Sequence, residues 1–156
     1  MKSATQWFQE YGESHQNKTN KLIHWLCVPA IFWSVALMLW DVPQPSWMAE
    51  YAWLNWATLT LAFVMIFYTL MSLSLSIGML LFSVLVMWAC AALQSISPIP
   101  LWQVGVGIFV VAWILQFIGH HIEGKKPSFF QDIFFLLIGP AWLMGFVYQK
   151  LGISYR

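Results

Sequence analysis

Charge is what this sequence has least of. Only 8% of its 156 residues are charged, seven Lys or Arg against six Asp or Glu. An ordinary soluble domain is about a quarter charged. No water-facing surface can be built from so small a set, which excludes a soluble enzyme and a disordered tail. The formal net charge of +1 gives no basic stripe for phosphates, so no nucleic acid is expected as a partner. Cysteine is scarce too: Cys27 and Cys90 both fall in apolar runs and make no disulfide framework. C-x-x-C, H-E-x-x-H, G-x-S-x-G and phosphate-binding glycine loops are all missing, as are internal repeats. The first 21 residues are polar and lead to no small-residue cleavage site, so they do not read as a signal peptide.

What the chain does have is apolar length. Hydrophobic residues make up 60% and aromatics 18%, and the mean hydropathy is +0.69. Residues 22–40, 51–74, 77–95 and 101–119 carry no formal charge, and 129–148 carries only Asp132. About 20 residues at 1.5 Å rise cross the hydrocarbon core, and in lipid a segment must satisfy its own backbone hydrogen bonds. The expected fold is all-α, a polytopic membrane helical bundle forming a single membrane domain over residues 1–156. It has four transmembrane helices plus an N-terminal interfacial helix and a fifth spanning or re-entrant segment. Gly139-Pro140 interrupts the middle of that fifth segment. Turns are expected at 41–46, 72–78 and 95–100. The eleven Trp, several near span ends, fit an interfacial belt. Ser3 and Gln6 form a capping-box pattern. Ala4, Trp7, Phe8 and Tyr11 then fall on one helical face, as in a helix lying in the interface.

Lys2, Lys18 and Lys21 precede the first span and Lys125 and Lys126 follow the fourth, with no Lys or Arg between residues 22 and 124. The positive-inside rule then places the N-terminus and the 120–128 loop in the cytoplasm. Lys150 and Arg156 favour a cytoplasmic C-terminus as well, which requires residues 129–148 to re-enter.

All four histidines lie in two short segments, His15 and His24, then His120 and His121. Both segments abut the same membrane face, together with Glu123 and several amides. Polar and ionisable groups at membrane depth are expensive and tend to be functional, although a single His at a span end can simply snorkel. His15 and His24 are nine residues apart, half a turn out of phase on a straight helix. They converge only if the chain bends, and residues 16–20 can bend with Asn17 or Thr19 as a cap. Gln116, His120 and Glu123 are spaced 4 and 3 and form one polar stripe. Imidazole is the commonest metal ligand. Histidines with a carboxylate and open positions suit non-haem Fe(II), with Zn and Mn left open. Tyr11, Asn17, Asn20 and Gln116 are candidates for fixing the histidine tautomers from outside the ligand set. Rival readings are another membrane metalloenzyme acting on lipids and a non-enzymatic small membrane protein or transporter. A transporter places ionisable groups near the bilayer midplane, and the first four spans have none there.

Two motifs now stand out. One is Tyr11-Gly-Glu-Ser-His15-Gln-Asn17-Lys-Thr-Asn20-Lys-Leu-Ile-His24, with Val28-Pro29 behind it. The other is Gln116-Phe-Ile-Gly-His120-His-Ile-Glu123-Gly-Lys-Lys-Pro127. Together they resemble the family of the fungal endoplasmic-reticulum 2-hydroxy fatty acid dioxygenase and its bacterial relatives, and the likeness extends over nearly the whole chain. The resemblance implies an Fe(II)-dependent membrane dioxygenase of fatty-acid α-oxidation. Such an enzyme converts a 2-hydroxy fatty acid to the acid one carbon shorter, with O2 and without 2-oxoglutarate. It implies His15, His24 and His120 as metal ligands, with His121 or Glu123 completing the set. Lys125 or Lys126 is then expected to pair with the substrate carboxylate. The implied partners are the lipid bilayer, an amphiphilic 2-hydroxy acid and O2, and the implied location is a bacterial inner membrane.

Overall fold

A computed structural model describes residues 2–155; the charge expected at Arg156 lies outside them. The described residues form helices and no strands. In chain order they are α1 (Ala4–Gly12), α2 (Lys18–Trp40), α3 (Ser46–Ala49), α4 (Trp56–Met71), α5 (Leu73–Ile96), α6 (Leu101–Glu123) and α7 (Phe135–Leu151), with one 3-10 turn at Ser128–Phe130. Three of them, α2, α5 and α6, are 23, 24 and 23 residues long and apolar enough to cross a membrane.

The other two apolar helices are shorter, 16 residues in α4 and 17 in α7. The stretch 51–74 therefore holds less helix than its hydropathy implies. Residues 51–54 form turns, and Asn55 starts α4 by accepting the Thr58 N–H on its side-chain oxygen at 2.9 Å. The bend from α4 into α5 is also tighter than the expected 72–78 turn. Ser72 alone is extended there, and its hydroxyl caps α5 by accepting the Leu75 N–H.

α2 and α6 pack against each other along their length. Gly105, Ala112 and Gly119 of α6 are buried at steps of seven, and a methyl built on Gly105 would lie 2.7 Å from the Ser34 carbonyl of α2. In lipid, small residues of this kind let helix backbones approach closely. α4 packs on α5, whereas α4 and α6 do not form a packed pair.

α1 carries the expected capping box, with Gln6 N–H donating to Ser3 Oγ at 3.3 Å and Ser3 N–H to Gln6 Oε1 at 2.9 Å. Its apolar face is not turned to lipid, however. It packs on α7, where the Trp7 and Phe135 rings lie 5.3 Å apart and Tyr11 and Trp142 5.2 Å. α7 runs unbroken through Pro140, and both its ends stay at one end of the bundle. Leu137, in its first turn, accepts from Tyr68 near the end of α4. Tyr148, in its last, bonds to Ser74 and Gly78 at the start of α5. Beyond it the Tyr155 carbonyl accepts from Ser72, between those two helices. α1, the start of α2 and the end of α6 meet this same end.

Candidate metal centre

The bend the sequence requires between His15 and His24 is present. α1 ends at Gly12, and α2 begins after Asn17, whose side-chain oxygen accepts the N–H groups of Thr19 at 2.8 Å and Asn20 at 3.3 Å. Glu123, at the end of α6, pins the bend from outside. Its carboxylate accepts the Gln16 N–H at 2.9 Å, the Asn17 N–H at 2.7 Å and the Asn20 amide at 3.2 Å. The Asn20 amide also donates to the Ser14 carbonyl at 3.1 Å, tying the two sides of the bend together.

His15, on the bend, is thereby set against His24 of α2 and His120 of α6. All three are buried, with 1%, 1% and 3% of their surface exposed. Their ring centroids lie 4.3, 4.9 and 4.9 Å apart and their planes are nearly mutually perpendicular, at 80°, 76° and 88°. One ring nitrogen from each lies within 4.8 Å of the other two.

Each ring leaves one buried nitrogen without a hydrogen-bond partner, Nε2 of His15, Nε2 of His24 and Nδ1 of His120. Two of the rings are fixed from their other side. His15 Nδ1 lies 2.6 Å from the Tyr11 carbonyl and His24 Nδ1 2.9 Å from the Asn20 carbonyl. A carbonyl only accepts, so each Nδ1 carries the proton and each Nε2 presents a lone pair. Burial, and then the neighbouring His24, push the His15 imidazole down to about 3, which keeps it in the neutral form that coordinates metals. Burial alone raises the Tyr11 phenol. Three buried ring nitrogens without a hydrogen-bond partner, two of them presenting lone pairs, cost free energy unless something fills the gap. A divalent cation fits that gap, and this donor chemistry suits Fe, Zn or Mn.

The other candidate residues take different places. Tyr11 supports His15 by its carbonyl and by stacking, with its ring 4.0 Å from the imidazole and 14° from parallel. Asn20 acts through its carbonyl on His24 and through its amide on the bend. Gln116, one turn before His120, is buried and faces the cavity described below. His121 and Glu123 stay outside the trio. His121 is exposed and lines a surface recess, and the Glu123 oxygens are occupied by the three donors named above. Lys125 and Lys126 border the same recess, and Lys125 Nζ donates to the Glu13 carbonyl at 2.7 Å. Ser14, Ser128 and Trp142 carried no signal in the sequence. Ser14 Oγ lies 3.2 Å from His15 Nδ1 and 2.5 Å from Ser128 Oγ, and the Trp142 ring lies 5.5 Å from His15.

The trio forms the polar end of a cavity of about 300 Å³. Its remaining walls are mostly apolar and come from α2, α4, α6 and α7, with Tyr11 of α1 and Pro127, Ser128 and Phe129 after α6. Three buried imidazoles that could hold a metal, at one end of a hydrocarbon-lined cavity, suit an oily ligand with a polar head.

The family of proteins described as 2-hydroxy-palmitic acid dioxygenase Mpo1-like matches residues 1–151. The chain belongs to the Mpo1-like family. The 2-hydroxy-palmitic acid dioxygenase MPO1 of Saccharomyces cerevisiae is similar to it, 29% identical over 148 residues, which cover 94% of this chain and 80% of the yeast protein. No solved structure matches the chain. Membership of the Mpo1-like family agrees with the likeness carried by the two histidine motifs, and the matched span includes every residue of the trio.

Proposed function

We propose that the protein is a membrane-embedded, Fe(II)-dependent dioxygenase that cleaves a 2-hydroxy fatty acid to the acid one carbon shorter. The observation that carries this reading is the trio of buried imidazoles, each with an unpartnered nitrogen, at the polar end of an apolar cavity. In the proposed reaction R–CH(OH)–COOH and O2 give R–COOH, CO2 and H2O. The bond between C1 and C2 breaks, and the substrate supplies all four electrons that O2 takes up, so no second reductant is needed.

His15, His24 and His120 hold the ion. An Fe(II) ion there supplies O2 activation and a Lewis-acidic anchor for the carboxylate and 2-hydroxyl. The Tyr11 and Asn20 carbonyls keep the Nδ1 protons of His15 and His24 in place, so the coordinating tautomer is set in advance. Tyr11 and Trp142 cover His15 and keep bulk water away. Gln116 offers an amide beside the head group. The acyl chain lies against the apolar walls, so binding energy from the tail holds the reacting carbons in place.

The charge distribution supports a cytoplasmic site. Lys18 and Lys21 begin α2, Lys125 and Lys126 follow α6, and Lys150 lies in the last turn of α7, all at the end that holds the trio. The positive-inside rule assigns that end to the cytoplasm. We read α2, α4, α5 and α6 as four crossings of a bacterial inner membrane, with α4 short enough to thin the bilayer locally, and α1 and α7 as cover on the cytoplasmic end.

The test uses purified protein in detergent, loaded with Fe(II) under anaerobic conditions. Metal analysis is expected to find one iron per chain. Oxygen uptake is expected to match conversion of 2-hydroxypalmitate to pentadecanoate by mass spectrometry, and His24→Ala to lose both iron and turnover. Turnover that survives this substitution overturns the reading. Tight zinc with no oxygen uptake points instead to another lipid metalloenzyme.

A further inference from the structure

We infer that the apolar cavity is a slot for one acyl chain, entered sideways from the bilayer between α4 and α6 and stopped at its far end by Leu39 and Ala57, which set the chain length. The inference takes the histidine end as the head-group site and so rests on the proposed function.

His24, Val28, Ile31, Val35 and Leu39 of α2 all line the cavity. Their spacing of 4, 3, 4 and 4 puts them on one helix face. The fifteen steps from His24 to Leu39 correspond to about 22 Å of helix axis at 1.5 Å per residue. An extended hydrocarbon built from C–C bonds of about 1.5 Å advances roughly 1.25 Å per carbon. The slot therefore matches a chain of roughly 17 carbons.

α4 runs back along α2, so Ala57, in its first turn, lies at the far end and Val64 nearer the histidines. Ala57 has no exposed surface and belongs to a packed cluster with Ala36 and Leu37, against which Leu39 is seated. Beyond that cluster Trp40 Nε1 donates to Gln94 Oε1 at 3.0 Å, and this contact joins α2 to α5.

The side of the cavity is different. Val35 lines it yet is 37% exposed, and Thr60 lines it and is exposed as well. Both can be reached from outside because α4 and α6 are not packed on each other. That gap faces the hydrocarbon of the membrane, so the occupant arrives tail and head together without crossing water. Apart from its histidine end the lining carries no charged side chain, which suits hydrocarbon.

The experiment measures kcat/KM for saturated 2-hydroxy acids of 10 to 20 carbons with wild type, Ala57→Leu and Leu39→Ala. Ratios between chain lengths within one preparation do not depend on how much protein is active. Ala57→Leu fills the far end and is expected to lower the ratio for 16 over 10 carbons by tenfold or more, since one methylene in an apolar pocket is worth about 10- to 200-fold. Leu39→Ala introduces no clash and is expected to move the optimum to longer acids. In a second arm the same acids are added to metal-free protein, and the rise in unfolding temperature is read against chain length. The same shifts are expected there. Unchanged profiles in both variants overturn the inference. If wild type turns over none of the acids but the binding profiles shift, the slot stands and the dioxygenase reading fails.

Discussion

Glu123 lies three residues after His120 on a polar stripe, where a carboxylate ligand is the obvious reading of the spacing. Its oxygens instead accept two backbone N–H groups of the bend and the Asn20 amide. A carboxylate is all acceptor, so it meets several donors at once. In Glu123→Gln one of those oxygens becomes an amide that faces donors. The bend then loosens and His15 drifts from His24 and His120. We expect apparent Fe(II) affinity to fall about 10- to 100-fold, the usual effect of disturbing a group that supports ligands, with full occupancy regained at high Fe(II). His24→Ala removes one of the proposed ligands, and excess iron is not expected to restore binding. Iron titration of both variants separates the roles: if Glu123→Gln behaves as His24→Ala does, the carboxylate is itself a ligand. The two histidine segments were legible in the sequence because ionisable groups stand out in an apolar chain, whereas the choice of His15, His24 and His120 among the four came from the family resemblance. The task of Glu123 was not, because it depends on backbone donors of a bend that spacing does not describe.

At the scale of the helix, the trio depends on how closely α6 approaches α2. Gly119 sits against Asn20, and a methyl there would collide with the Asn20 side-chain oxygen, in a residue with no exposed surface. Asn20 also carries the carbonyl that fixes His24, so a push at Gly119 reaches the ligands directly. Gly107 lies on the same helix with nothing within 4 Å of a built methyl. Gly119→Ala is therefore expected to lower iron occupancy and turnover by at least about tenfold. Gly107→Ala leaves both as they are and raises helix stability by about 0.5–1 kcal/mol. Equal behaviour of the two variants in iron content and thermal unfolding would remove Gly119 from the argument. The long helices were legible from uncharged length alone, and the start of α2 from two candidate caps, Asn17 and Thr19, of which Asn17 caps it. The length of α4 was not, because turns at 51–54 and the Asn55 cap override hydropathy over that stretch. Which element covers the apolar face of α1 was not legible either. An amphipathic face shows that something apolar covers it, and here α7 does so rather than lipid.

Across the whole molecule, the path of α7 decides where the C-terminal segment ends. Hydropathy allows residues 129–148 either to cross or to return, and composition cannot choose between them. The contacts do choose an end: Leu137, Tyr148 and Tyr155 all meet residues around the α4–α5 junction, and the Tyr155 ring lies 5.6 Å from Phe8 of α1. Every lysine is then at the end that holds the histidines, while Asp41 and Glu50 lie at the other. This arrangement makes a topology prediction independent of enzymology. Cys27 and Cys90 are buried, so single cysteines can be introduced against a quiet background. In sealed inverted vesicles, Lys126→Cys and Lys150→Cys are expected to react with a membrane-impermeant maleimide, and Gln44→Cys only after the membrane is opened. Labelling of Lys126 and Lys150 from opposite sides would mean that α7 crosses, which would break its cover over α1 and His15. Labelling of both only after the membrane is opened would invert the orientation and put the histidine trio on the far face. With both on the inner face, the proposed substrate would reach the proposed slot from the leaflet that faces the cytoplasm, and the proposed product would leave to that same leaflet.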